Sequence, residues 1–356
     1  MKKKTAAGAR ISAERRAVER LIRFERLPYN PFRTRLYSVA ELTAGYDPAR
    51  PGRSLDERIA RHFIGPAQAG RAHPKVHEAL AQRIHDHAID AAVFRYAQPP
   101  GKPRRKLVGI MGGHRVTRDQ DIYRQVAQLG WLLRQAGYSV VTGGGPGLME
   151  AANLGAYLSG YGSRDVNAAV DILAHAPDYA SLPAEYIAAA IDVRRRFDQD
   201  SGESLAIPTW EYASEPTGRF SSAIGKYFAN SIREDGLLAI AADAVIFAPG
   251  AEGTLQEVFQ NACHNAYWSY GSRAPMVFLN DADSFFTRAP SIFDVVQAQA
   301  RRHQPPYATL LAVCTEAASI VDFIKTHPPV PKPGAPPKRT FGRTNLHLAH
   351  RGGSGS

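Results

Sequence analysis

The stretch Pro249-Gly-Ala-Glu-Gly-Thr-Leu-Gln-Glu257 follows an apolar run, Ala244-Val-Ile-Phe-Ala248, and opens a helical pattern that continues to about His264. Strand, glycine turn, helix: this order aims the unpaired N–H groups of a helix N-terminus, with a threonine hydroxyl, into one crevice. Such a corner binds anions, usually phosphate. Glu257 falls one turn into the helix, on the face that carries Gly253 and Thr254. Two anions repel, so a carboxylate beside a phosphate cradle makes sense where positive charge develops during a reaction. The plain alternative is a first-turn glutamate that complements the helix dipole.

A second glycine corner lies upstream. Tyr138-Ser-Val-Val-Thr142 reads as a buried strand, Gly143-Gly-Gly-Pro-Gly147 as a turn, and Leu148-Met-Glu-Ala-Ala-Asn153 as helix. Pro146 suits a first helical position, where its missing N–H costs nothing. No Lys-Ser/Thr follows the glycines, which excludes a P-loop, and the spacing does not give G-x-G-x-x-G. A bare turn explains either corner alone. It explains the pair poorly, because each follows a strand and precedes a helix.

Together the corners resemble the double signature of the LONELY GUY (LOG) family, G-G-G-x-x-G-[LI]-M with P-G-G-x-G-T-x-x-E, here residues 143–150 and 249–257. The resemblance spans roughly residues 105 to 325. It implies a Rossmann-like domain that hydrolyses the N-glycosidic bond of nucleoside 5′-monophosphates such as AMP, giving free base and ribose 5-phosphate. It also implies catalytic roles for Glu257 and for Arg233, in Asn230-Ser-Ile-Arg-Glu-Asp235, and binding of phosphate and ribose by Gly144, Gly145, Gly147, Met149, Gly250, Gly253 and Thr254. The plain alternative for Arg233 is a helix-surface arginine paired with a carboxylate. His114, in Met111-Gly-Gly-His-Arg115, is either a ligand contact or a solvated loop residue.

Three departures stand out. Ala251 replaces the second glycine of P-G-G, which costs energy if that position needs φ > 0. Glu150 stands where compact members tend to have glycine. The stretch between the corners is long and carries Ser204-Leu-Ala-Ile-Pro-Thr-Trp210, more like the larger bacterial members. A non-catalytic nucleotide- or cofactor-binding carrier on the same fold is the alternative function. Lysine decarboxylation is rejected, because only Lys226 stands near a corner.

The elements that must hold these residues follow from pattern. Short apolar strands at 107–111, 205–208, 244–248, 276–279 and 310–313 alternate with helical stretches, the signature of an α/β doubly wound parallel sheet. Ligands then belong at the carboxyl ends of its strands. We divide the chain into a helical N-terminal extension (1–103), the Rossmann-like domain (104–327) and a disordered Pro/basic tail (328–356). Within the extension, 12–26 reads as a charged helix, Ser54-Leu-Asp-Glu57 as a capping box, and a further helix starts at Pro74, with Val76, Leu80, Ile84 and Ala88 at helical spacing.

The net charge of +11 sits at the ends: residues 1–50 hold 12 Lys/Arg against 5 Asp/Glu, and 325–356 hold 6 against none. The middle is slightly acidic, which argues against a nucleic-acid enzyme and makes the basic ends look dispensable for chemistry. Two cysteines, Cys263 and Cys314, exclude a disulfide framework, with Cys263 read as a packed helical residue. Histidines 73, 77, 85 and 87 lack a completing ligand set, so no metal and no cofactor is expected. No span or apolar leader follows Met1-Lys-Lys-Lys, so a cytoplasmic homodimer with no membrane partner is expected.

Overall fold

The computed structural model describes residues 27–68, 74–199, 201–212 and 215–334, the side chains of 66–68 excepted. The helix expected at 12–26, His73 and the tail beyond 334 lie outside the described residues.

The strands are β1 (Leu107–Met111), β2 (Ser139–Thr142), β3 (Ser204–Ala206), β4 (Ala223–Ile224), β5 (Ala244–Phe247), β6 (Ser272–Arg273), β7 (Met276–Leu279), β8 (Leu311–Cys314) and β9 (Val330–Pro331). Seven of them form one parallel sheet in the order β4-β3-β2-β1-β5-β7-β8. β1, β2, β5 and β7 are buried along their whole length, as strands covered on both faces must be. The fold is α/β and Rossmann-like, as the alternating pattern predicts.

The helices are α1 (Val39–Leu42), α2 (Leu55–Gln68), α3 (Val76–Ala97), α4 (Asp121–Gln135), α5 (Leu148–Tyr157), α6 (Ser163–Ala174), α7 (Pro183–Arg196), α8 (Asn230–Ile240), α9 (Glu252–Tyr267), α10 (Ile292–Arg302) and α11 (Ala317–Thr326). One core lies on each face of the sheet. α4, α5, α6 and α11 bury Val126, Leu129, Leu154, Val170 and Ile320 on one side. On the other, α8 and α9 meet the extension itself: Tyr29, Tyr37, Leu42 and Ile59 share a core with Val245, Phe247 and Phe278.

The extension is therefore packed rather than appended. Tyr37 bridges antiparallel to Ile224 and so covers the sheet edge at β4. The capping box forms as expected, with Glu57 N–H donating to Ser54 Oγ and Ser54 N–H to Glu57 Oε2. The helix expected from Pro74 is α3. Val76 is 85% exposed, and Ala81, His85, Ile89, Ala92 and Val93 face inward instead. Polar residues can take the inner face because they find partners: His85 meets the Tyr37 hydroxyl at 2.9 Å, and Asp86 accepts two backbone N–H groups.

Two further expectations change. The chain beyond Pro328 does not lose structure at once, since β9 pairs antiparallel with β6 and Lys332 N–H donates to Gly271 O. Cys263 is exposed, one turn from the outward-facing Phe259 and Tyr267 of α9. Among the described residues no helix is long and apolar enough to cross a membrane, and no group of three or more His, Cys, Asp or Glu could hold a metal ion.

Candidate functional site

From β1 the chain moves outward through β2, β3 and β4, then returns to place β5 on the other side of β1. The sheet order reverses there, and the crevice beyond the carboxyl ends of β1 and β5 is where such sheets take ligands. Both glycine corners open onto it. Gly113, in the loop after β1, joins them: its N–H donates to Pro249 O at 2.9 Å, and its carbonyl accepts from Leu148 N at 3.1 Å. Gly147, the N-cap of α5, has φ +68, and a Cβ there would stand 2.4 Å from Gly113 O. Only glycine lets these backbones approach so closely. Gly250 is held as tightly, since its Cβ would fall 2.1 Å from Thr254 Oγ1.

Ala251 brings no strain, because its φ of −110 and ψ of −158 are extended backbone open to any residue. The helix of the second corner starts at Glu252 with Ala251 as N-cap, so the departure from P-G-G leaves the turn intact. Pro146, expected at the first helical position, instead precedes the N-cap Gly147 of α5.

Arg233 is no surface arginine. It is 6% exposed on α8, its Nε donates to Ile207 O at 2.7 Å and its Nη2 to Gly143 O at 3.3 Å. These bonds tie α8 to the ends of β2 and β3 and hold the guanidinium under the first corner. Nη1 lies 4.0 Å from Glu257 Oε1, so α9 delivers the carboxylate to the same place. Burial pushes the Glu257 pKa up to about 7; Arg233 opposes the rise and Glu234 adds to it. The outcome is a carboxyl group that changes charge near neutrality beside a fixed cation.

The other predicted site residues gather around this pair. Met149 lies beneath the first corner, its sulfur 2.8 Å from where a Gly143 Cβ would be. Gly144, at φ +75, has its N–H held by Thr142 Oγ1. Thr254 is buried, whereas Gly253 is exposed on the first turn of α9 with open space around it. His114 sits exposed at the rim, with its carbonyl against Gly147; partial burial, with Arg115 nearby, draws its pKa down.

Residues 105–162 match the model of the SLOG cluster4 family. This stretch is SLOG-like. It carries β1, α4, β2 and α5, and so the Gly113 loop and the first corner. A comparison with curated protein sequences gave no match. Solved structures with a similar chain include the molybdenum cofactor binding protein of Rippkaea orientalis, at 17% identity, covering 63% of this chain and 98% of that one with a TM-score of 0.37. The Moco carrier protein of Chlamydomonas rheinhardtii is 15% identical, covering 63% and 98% with a TM-score of 0.38. The structure of TM1055 is 15% identical, covering 62% and 99% with a TM-score of 0.36. No feature of the site rests on these three likenesses.

Several residues at the site escaped the sequence reading. Inside the SLOG-like stretch, Glu150 turns away from the crevice into a buried knot. Arg118 binds both its oxygens, at 2.8 and 2.7 Å, and the hydroxyls of Tyr123 and Tyr186 donate to Oε2. Burial alone would raise its pKa, but Arg118 and the tyrosines overcome this and hold it below the ordinary value. Outside the stretch, residues 215–219 cover the first corner: Glu215 Oε2 would lie 2.8 Å from a Gly145 Cβ, and Gly218 abuts Gly144 O. The extension anchors this segment, for Asp56 accepts from Lys226 Nζ, Trp210 Nε1 and Thr217 Oγ1. Glu150 left a signal in the sequence, a lone carboxylate in an otherwise apolar helix start, which demands a partner. Asp56 left none.

Proposed function

We propose that this protein hydrolyses the N-glycosidic bond of nucleoside 5′-monophosphates, releasing free base and ribose 5-phosphate. The observation that carries the reading is the Arg233–Glu257 pair, 4.0 Å apart, at the crevice where both anion-binding corners open. In the reaction the C1′–N bond breaks, its electron pair leaves with the base, and a water oxygen bonds to C1′. The ribose ring passes through oxocarbenium character. The ionised Glu257 would stabilise that charge or orient the water and accept its proton, while Arg233 holds the turn in register. The glycine corners would seat the phosphate through N–H groups, which requires no metal or cofactor.

The test is chromatographic detection of free base after incubation with nucleoside mono-, di- and triphosphates. Base released from monophosphates in preference to the others supports the reading, and no release sinks it. A second reading, binding without cleavage, is favoured by the cover of residues 215–219 over Gly144 and Gly145. It predicts saturable monophosphate binding with no free base. The proposal includes a homodimer, for which Phe259 and Tyr267 of α9, 41% and 76% exposed, offer an apolar face; sedimentation gives the mass.

A further inference from the structure

A groove of about 470 Å³ lies away from the crevice, at the β4 edge of the sheet. That volume falls in the range of small-molecule sites, about 300–1,000 Å³. Residues 34–38 line one side, the C-terminal end of α3 another, and Ser222 with Ala223 a third. Ala223 is the first residue of β4, whereas the crevice lies beyond the carboxyl ends of β1 and β5. The groove is therefore at the other end of the strands, and about 14 Å across the sheet from β1.

Its walls are held in place by bonds of their own. Tyr37 N–H and carbonyl pair with Ile224, Arg95 Nη2 donates to Thr34 O at 2.6 Å, and Arg33 Nε donates to Arg35 O at 3.2 Å. A preformed groove spares its ligand the cost of ordering the loop.

Three charged side chains line the groove, Arg35, Glu41 and Arg95. Glu41 is already neutralised: Arg33, stacked on the Tyr37 ring at 3.3 Å, donates to both its oxygens at 2.8 and 3.1 Å. Arg35 is exposed, and its side chain makes no hydrogen bond or ion pair among the described residues. Arg95 is exposed too, its guanidinium positioned by the Thr34 carbonyl. Water screens the repulsion between two exposed cations, so it costs little. What remains is a positive field over Leu36, Ala92, Ala223 and Tyr96, which suits an anion with an apolar body. Neither end of this chain fits that description, because both carry excess positive charge.

We propose that this groove binds a small organic anion, an aromatic or aliphatic body carrying a carboxylate or a phosphate, at a site separate from the crevice. Arg35 and Arg95 take the anionic group, and the body lies against Leu36, Ala92 and Ala223. Carboxylate and phosphate both offer paired oxygens to a guanidinium, and the experiment separates them.

Phenylglyoxal modification of the full chain, mapped by mass spectrometry, tests the site with phenyl phosphate, benzoate and phenol as probes. At least one of the two anions should slow labelling of Arg35 and Arg95 about tenfold, the scale of one charged hydrogen bond, while phenol leaves it unchanged. Arg164, exposed in the first turn of α6, should label alike in every condition. Protection by phenyl phosphate alone identifies a phosphate ligand, and by benzoate alone a carboxylate. Equal labelling throughout would overturn the site, as would protection by phenol or equal protection of Arg164. Arg35→Gln supplies a second reading, since this side chain ties no other described group and its loss spares the fold. Protecting Arg95 in that variant should take about tenfold more anion. An unchanged requirement removes Arg35, and with it the two-arginine site.

Discussion

Glu257 titrates near neutrality because burial outweighs the attraction of Arg233, and Glu234 adds to the rise. Replacement by glutamine keeps the size and removes the carboxylate. Turnover should fall about a hundredfold or more, the usual scale for such a group. AMP affinity should hold or improve, since an anion near the phosphate has gone; near-normal turnover would remove Glu257 from the mechanism. The pH dependence follows from the same residue. Its native pKa is raised to about 7, so the ionised form fills as pH rises through 7, and kcat should climb to a plateau above it. A flat profile between pH 6 and 8 would contradict that assignment. Stability moves the opposite way. Between the ordinary glutamate value and about 7 the native state holds a proton that the unfolded chain has lost, so stability falls as pH rises across this window. Denaturant titration should find that slope reduced in Glu257→Gln.

The α8 helix carries Arg233, yet its N-cap, Ala229, offers no side chain to the first turn. Asp86 of α3 instead fixes the chain that enters the helix, taking the N–H groups of Phe228 and Ala229 at 2.9 and 3.0 Å. Asp86→Ala should therefore cost about 1–3 kcal/mol, the scale of buried N–H groups left without an acceptor, and lower turnover by loosening Arg233 against Gly143. Asp86→Asn, whose one amide oxygen can accept from only one of these N–H groups, should recover part of both, and an alanine variant with unaltered denaturation midpoint and kcat would show that the anchor is idle. This bond marks the limit of what the sequence discloses. β1, β2 and β5 and the glycine corners are legible because each is an uninterrupted local pattern, apolar run then glycine then helix. β4 is two residues long, too short for any period, and exists because Tyr37 and β3 pair with its two sides. The inner face of α3 is not legible for a related reason. His85 and Asp86 look like surface residues until their partners, far away in the chain, are known. The Asp56–Lys226 pair depends on segments brought together only by the finished fold.

At the scale of the whole molecule, the basic ends and the folded body are not divided where charge alone would divide them. Tyr29, Tyr37, Val39 and Leu42 are each less than 9% exposed and belong to the core that includes Val245 and Phe247 of β5. Burying one such side chain is worth about 1.5–3 kcal/mol, and a domain holds only about 5–15 kcal/mol in all. A chain that begins at residue 51 loses all four, along with the Tyr37 backbone that pairs with Ile224 at the sheet edge. It also loses the Tyr37 hydroxyl that His85 meets at the centre of the extension. We therefore expect the protein lacking residues 1–50 to be aggregated or unfolded, whereas one lacking only residues 1–26 keeps every contact described here and should melt cooperatively. Circular dichroism melts and base release from AMP, measured side by side on the two truncations, separate the possibilities. If the chain starting at 51 melts cooperatively and turns over like the full protein, then the core contacts of residues 29–42 are dispensable, and the extension is a decoration after all.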